Sequence, residues 1–199
     1  MVRHGETEWN ALGKIQGHQD VGLNEVGRRQ AEQLRIRLEG VSIEAAYSSD
    51  LSRCADTART VLLEKGVEPL LTERIREQGF GRWQGLGFRE VEERDPELYA
   101  RMMGRDSDFS PPGGESFREV AERVGGLFDE VRGKNHEGTV LVVGHAGSLR
   151  ALMAKVLDIP LESSWRFRFD SCGLSMLDVG PDRVRLMVFN DTMHRGIAV

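Results

Sequence analysis

Apolar positions along the chain keep a three-to-four-residue rhythm in some stretches and a two-residue rhythm in others, and the switches mark the elements. Ala31, Leu34 and Leu38 share a face at helical spacing. Asn24 is a good N-cap for that helix, which is expected to run to about Glu39 and stop at Gly40. Ala45 to Ser48 reads as a short buried strand. Ser48-Ser49-Asp50 then turns the chain into a second helix with Leu51, Cys54, Ala55, Ala58, Val61 and Leu62 inward. Gly66 closes it, and Val67 to Leu71 is expected to form another short strand. The longest stripe, Phe117, Val120, Ala121, Val124, Leu127, Phe128 and Val131, predicts a helix from about Glu115 to Arg132 whose face is plain core packing. Thr139 to Val143 is an unbroken apolar run rich in β-branched residues, as in a strand covered on both faces. A helix carrying Leu149, Leu152, Met153 and Val156 follows. Two alternating runs, near Cys172–Val179 and Val184–Phe189, flank Gly180-Pro181-Asp182 and predict an antiparallel hairpin.

Residues 72–90 interrupt this order with glycines and aromatics and read as a structured functional loop. A charged helical stretch follows from Phe88 to Met103, broken at Asp95-Pro96, and then a Pro/Gly connector from Asp106 to Glu115. The weak core pattern of 80–115 marks an insertion over one end of the sheet. At the other extreme only Met1 and Val2 precede Arg3, too few for an ordinary strand. The expectation is a truncated first strand, or a chain whose start lies further upstream. Strand–helix alternation gives an α/β fold, a three-layer α/β/α sandwich with a mostly parallel central sheet and an antiparallel edge element. It forms one domain over 1–199, with 80–115 as a small helical lid over the active site. Ligands bind at the carboxyl ends of strands in such sheets, and three of those ends carry reactive side chains: Arg3-His4, Ser48 to Arg53, and His145.

Composition narrows the partners. A net charge of −5 argues against the concentrated basic face of a nucleic-acid binder. Two cysteines, Cys54 and Cys172, with no Cys-x-x-Cys pair, suit a reducing compartment better than a disulfide framework or structural zinc. No leader-like start and no membrane-length apolar run are present, so a soluble cytoplasmic protein is expected, with a homodimer left open.

Two arginines and two histidines gathered at strand ends can neutralise a phosphoryl dianion and the charge of its transition state. A histidine nucleophile needs a bare attacking nitrogen, best fixed by a carbonyl that accepts from the other one. The leaving oxygen needs a proton, and the glycine-rich loop offers Glu77. Competing chemistries are weaker. His4 and His145 as metal ligands lack a His-x-x-x-His or cysteine cluster, and the arginines beside them would repel a cation. Cys54 beside Arg53 has the makings of a phosphatase nucleophile, but its register with Leu51, Ala58 and Val61 reads as an inert core thiol. His18, His136 and His194 read as surface or loop histidines, with a structural role for His194 near the chain end. Trp9, Trp83 and Trp165 read as packing residues, with Trp83 a candidate for the pocket wall.

Val2-Arg3-His4-Gly5-Glu6-Thr7-Glu8-Trp9-Asn10 resembles the signature of the histidine phosphatase superfamily, in its phosphoglycerate-mutase-like branch. Ser48 to Arg53, Glu77 to Gly85, Pro112 to Ser116 and Gly144 to Gly147 resemble the family's further motifs, in the same order along most of the chain. The resemblance implies that His4 becomes a transient phosphohistidine, with Arg3, Arg53 and His145 holding the phosphoryl group and Glu77 acting as acid and then base. Asn10, Gln16 and Gly17 match substrate-binding positions. The chain departs from the pattern in its minimal first strand and in Gln84, where many relatives carry Glu. It implies no metal and no cofactor. At 199 residues with a modest insertion, the chain is more similar to the phosphatase branch, acting on a small phosphorylated metabolite. A 2,3-bisphosphoglycerate-dependent phosphoglycerate mutase is the alternative, and a non-catalytic phospho-ligand-binding protein is a third reading. Specificity is expected to lie in 80–115 and near Arg150, Arg166 and Arg168.

Overall fold

The computed structural model describes residues 1–134 and 138–196. In chain order the strands are β1 (Val2–Arg3), β2 (Ala45–Ser49), β3 (Leu70–Thr72), β4 (Val140–Gly144), β5 (Leu174–Val179) and β6 (Val184–Asp191). The helices are α1 (Glu8–Ala11), α2 (Glu25–Arg37), α3 (Ser52–Leu62), α4 (Phe88–Arg94), α5 (Pro96–Met103), α6 (Phe117–Lys134) and α7 (Ala146–Val156). All six strands form one sheet in the order β3-β2-β4-β1-β5-β6. β3, β2, β4 and β1 run parallel, and the β5–β6 hairpin joins β1 antiparallel.

The first strand is as short as expected, only Val2–Arg3. Two residues suffice because β1 lies inside the sheet, with Val2 opposite Val143 on one side and Leu174 on the other. The Met1 ammonium donates to the Ser175 carbonyl at 2.8 Å, and the Ser175 N–H returns a bond to the Met1 carbonyl. His4 N–H continues the ladder onto the Gly144 carbonyl at 3.0 Å. A strand this short is held by bonds on both edges and by the complete burial of Val2, none of which depends on periodicity.

The sheet is covered on both faces. Val2, Ala46, Leu141, Val143 and Leu174 pack with Leu34, Ala58 and Val61 of α2 and α3. On the opposite face Val120 and Val124 of α6 pack with Leu149, Leu152 and Met153 of α7. Asn24 caps α2 as expected, its side chain accepting from Gly27 N–H at 2.8 Å. α3 lacks a side-chain cap of its own; Asp20 reaches over from the preceding loop to accept from Ser52 N–H at 2.8 Å. Within 80–115, Trp83, Val91 and Phe109 form a small separate cluster with Ile15. Trp83 is fully buried there with its indole N–H on Asp95 at 2.6 Å, so it serves packing and not the pocket wall. Two glycine-rich runs cross at backbone contact. A Cβ on Gly81, which sits at φ +50, would meet the Pro112 carbonyl at 2.2 Å, and one on Gly114 the Gly79 carbonyl at 2.2 Å. His194 is buried in the turn Met193–Gly196, in keeping with a structural role near the chain end. His136 lies outside the described residues.

Candidate active site

The carboxyl ends of all four parallel strands point reactive groups at one place. β1 delivers Arg3 and His4, β2 leads into α3 and Arg53, and β4 ends at His145. β3 leads through the turn Glu73–Ile75 to Glu77, a fourth strand end that the sequence pattern does not connect to the others. His4 and His145 face each other edge to face with ring centroids 5.1 Å apart.

The tautomers follow from the partners. His4 Nδ1 lies 2.7 Å from the Gly5 carbonyl, which can only accept, so Nδ1 carries the proton and Nε2 keeps its lone pair. Gly5 is itself held in place. Its N–H donates to Thr57 Oγ1 at 3.0 Å, and a Cβ on it would collide with the Gly27 carbonyl at 2.5 Å. Arg53 Nε donates to His145 Nδ1 at 3.3 Å, which leaves the His145 proton on Nε2, 2.9 Å from Ser49 Oγ. Burial holds the pKa of both rings well below 6.5, and the charges of Arg3 and Arg53 push the same way. Both are therefore neutral at neutral pH.

The arginines are clamped by carbonyls. Arg3 Nη1 donates to Phe169 O at 2.8 Å, while its Nε is buried without a protein partner among the described residues. Arg53 is fully buried, with Nη1 on Gln19 O at 2.7 Å and Nη2 on Gly17 O at 2.8 Å. The same contacts bring the 16–19 loop to the pocket. Gly17 sits at φ +53, where a Cβ would strike Gln84 Oε1, and Gln16 is buried with Oε1 unpartnered among the described residues. Asn10 stands nearby on α1, its Oδ1 accepting from Thr7 N–H at 3.1 Å and from Thr7 Oγ1–H at 3.0 Å. Its amide nitrogen has no hydrogen-bond partner among the described residues.

Glu77 reaches the amino end of α7, where Oε2 accepts from Gly147 N–H at 3.2 Å and Oε1 from Gln78 N–H at 2.9 Å. Arg123, on α6, staples the loop that carries it. Nη1 donates to the Arg74 and Arg76 carbonyls, and Nη2 to the Glu77 carbonyl at 2.9 Å and to Glu115 Oε1 at 2.7 Å. Glu115 also accepts from Gly79 N–H at 2.9 Å. Burial works to raise the Glu115 carboxyl, but hydrogen bonds from His18 and Arg123, Arg123's charge and the Gly79 bond override it and hold it down at about 2. His18, read from sequence as a plain loop histidine, donates Nε2–H to the Glu77 carbonyl at 2.8 Å. Neither Arg123 nor His18 has a local sequence signal, because each acts across the fold on backbone carbonyls. Gln84 accepts from His18 N–H at 2.8 Å, so an amide suits this position. Cys54 is a core thiol: it is wholly buried, burial raises its pKa, and its Sγ lies 3.3 Å from His145 Nε2. Among the described residues no group of three or more His, Cys, Asp or Glu is arranged to hold a metal ion.

A buried pair of neutral histidines between two carbonyl-clamped arginines, on a doubly covered parallel sheet, defines a phosphoryl-handling α/β enzyme. Residues 1–192 match the model of the histidine phosphatase superfamily (branch 1), and the chain belongs to that family. Among its relatives, phosphoserine phosphatase 1 of Hydrogenobacter thermophilus is 35% identical over 98% of this chain and 93% of its own. The adenosylcobalamin/alpha-ribazole phosphatase of Escherichia coli is 32% identical over 96% of this chain and 94% of its own. The solved structure of Bacillus stearothermophilus YhfR superposes with a TM-score of 0.91 at 31% identity, covering 98% of this chain and 96% of that one. No helix among the described residues is long and apolar enough to cross a membrane.

Proposed function

We propose that this protein is a metal-independent, cytoplasmic phosphomonoesterase that acts on a small phosphorylated metabolite through a phosphohistidine. The observation that carries the reading is the His4 tautomer: Nδ1–H on the Gly5 carbonyl leaves a bare Nε2 between His145 and the two arginines. In the first step His4 Nε2 attacks phosphorus in line, and the bond to the ester oxygen breaks. Glu77, as the carboxylic acid, gives its proton to the departing oxygen. In the second step water attacks the phosphohistidine and surrenders a proton to the Glu77 carboxylate, which restores the acid and the free imidazole.

Arg3, with its unpartnered Nε, and Arg53 bear the phosphoryl oxygens, and Asn10, Gln16 and Gly17 close around them. His145, neutral and with its proton on Nε2, stands beside the reacting imidazole. The amino end of α7 adds a favourable dipole. The 80–115 segment acts as the lid.

Phosphate release from a panel of sugar phosphates, phosphoglycerates, nucleotides, phosphoserine and ribazole phosphate tests the proposal. Turnover should persist in EDTA and disappear in His4→Ala together with the trapped phosphoenzyme. Phosphoglycerate interconversion primed by the bisphosphate, without phosphate release, would mark a mutase instead.

A further inference from the structure

One cation beside the site has no part in the phosphoryl-transfer steps. Arg150 lies on α7 one turn beyond Gly147, so the two share the helix face that meets Glu77. Its Nε donates to the Phe167 carbonyl at 2.8 Å, and its guanidinium stacks over the Trp165 ring, 5.1 Å from the centroid. Arg3 is held by the Phe169 carbonyl. Phe167 and Phe169, which hold the two arginines, lie two positions apart on one stretch of backbone. The two guanidinium groups are thus held by one short stretch of backbone, close enough that, besides burial, the charge of Arg150 works to lower the pKa of Arg3 and that of Glu77 acts on Arg150. Nη1 and Nη2 of Arg150 have no hydrogen-bond or ion-pair partner among the described residues. The guanidinium is half-buried and stays charged, so it is a preoriented fork with its two-pronged end unused.

We propose that Arg150 binds a carboxylate of the substrate, and that the preferred substrates are phosphomonoesters of small hydroxy-carboxylic acids. The inference rests on the phosphatase reading of the site. Two neighbouring cations suit a ligand that carries two anions a few bonds apart. In a phosphorylated three-carbon hydroxy acid, phosphorus and the carboxyl carbon are ~4–5 Å apart along bonds of ~1.5 Å. The planar fork suits a carboxylate, which it meets with two parallel hydrogen bonds. Phe167 and Trp165 fix the fork before the substrate arrives, so little side-chain freedom is lost on binding.

The test compares phosphoserine with phosphoethanolamine, which differ by the carboxylate alone, on the wild type, Arg150→Met and Arg150→Lys. The expected result is that Arg150→Met lowers kcat/KM for phosphoserine about ten- to hundredfold more than for phosphoethanolamine, mainly through KM. Arg150→Lys should recover part of that difference. Equal losses on both esters, or none, overturn the inference while leaving the phosphatase reading intact. Calorimetric titration of the same pair into His4→Ala protein, with and without Arg150→Met, gives a readout free of turnover. Carboxylate-dependent binding that vanishes in Arg150→Met supports the inference. Binding that is indifferent to the carboxylate refutes it.

Discussion

Gly147→Ala separates the proposed acid from the rest of the machinery. Gly147 lies in the first turn of α7, where alanine is a better helix former by ~1 kcal/mol. A Cβ there would stand 2.1 Å from Glu77 Oε1 and 3.2 Å from its Cδ. Non-bonded carbon and oxygen do not approach within about 3 Å, so the carboxyl group must retreat by ~1 Å. The obstacle is the end of a flexible, partly exposed side chain, so the protein should fold as well as before. Its melting temperature should hold steady or rise by a few degrees. A misplacement of ~1 Å can cost up to about 100-fold in a proton-transfer step. The assay is kcat/KM, which reports events up to phosphoryl transfer to His4, measured on an alkyl phosphate and on p-nitrophenyl phosphate. The alkyl ester should lose roughly 10- to 100-fold. The nitrophenyl ester, whose leaving group departs without a proton, should lose far less. Equal losses on the two esters would refute Glu77 as the donor to the leaving oxygen.

Four further outcomes follow from the same contacts. Arg123→Met strips bonds from three carbonyls and most of the pairing from Glu115; about 2–4 kcal/mol of stability should be lost in urea unfolding, with the same ester-dependent kinetics as Gly147→Ala. Glu115, at about 2 when folded against 4.5 unfolded, contributes up to ~3 kcal/mol that is fully present above about pH 5 and drains away as pH falls toward 2. Glu115→Gln should flatten the acid limb of the stability curve, and an unchanged limb would contradict the pairing. His4 and His145 are depressed in the folded state, so the unfolded chain binds more protons below about 6.5 and stability should decline as pH drops through that range, less steeply in His145→Gln. Iodoacetamide should leave turnover of the native protein intact, since burial keeps Cys54 a thiol; stoichiometric inactivation would reopen a cysteine nucleophile.

Much of this fold is legible because its helices are long and one-sided. The stripe from Phe117 to Val131 and the Asn24 cap need only local spacing to be read. Residues 140–143 announce a doubly covered strand in the same way. β1 is not legible, since two residues have no period and its strength comes from partners at Val143 and Leu174. The reactive residues stand out as motifs at strand ends, whereas their supports do not. Arg123, His18 and Ser49 act on carbonyls and ring nitrogens that only the folded chain brings near. A structural role for His194 is legible, but its partner is not, because nothing in the last stretch of sequence shows that α2 packs against its turn.

The central position of β1 ties the site to the order in which the protein can be made. His4 is fixed by Gly144, and the Arg3 carbonyl by the Cys172 N–H, while Met1 is anchored to Ser175 across 174 positions of chain. These are among the most distant pairings in sequence, with the largest loop-closure cost and the latest chance to form. His4 has no central place in the sheet until the segments at 140–144 and 172–175 have been made. A chain cut between 148 and 171 therefore carries every motif of the pocket but lacks β5, the antiparallel neighbour of β1. The pocket is complete only when β1 is seated between β4 and β5, segments far from it in sequence.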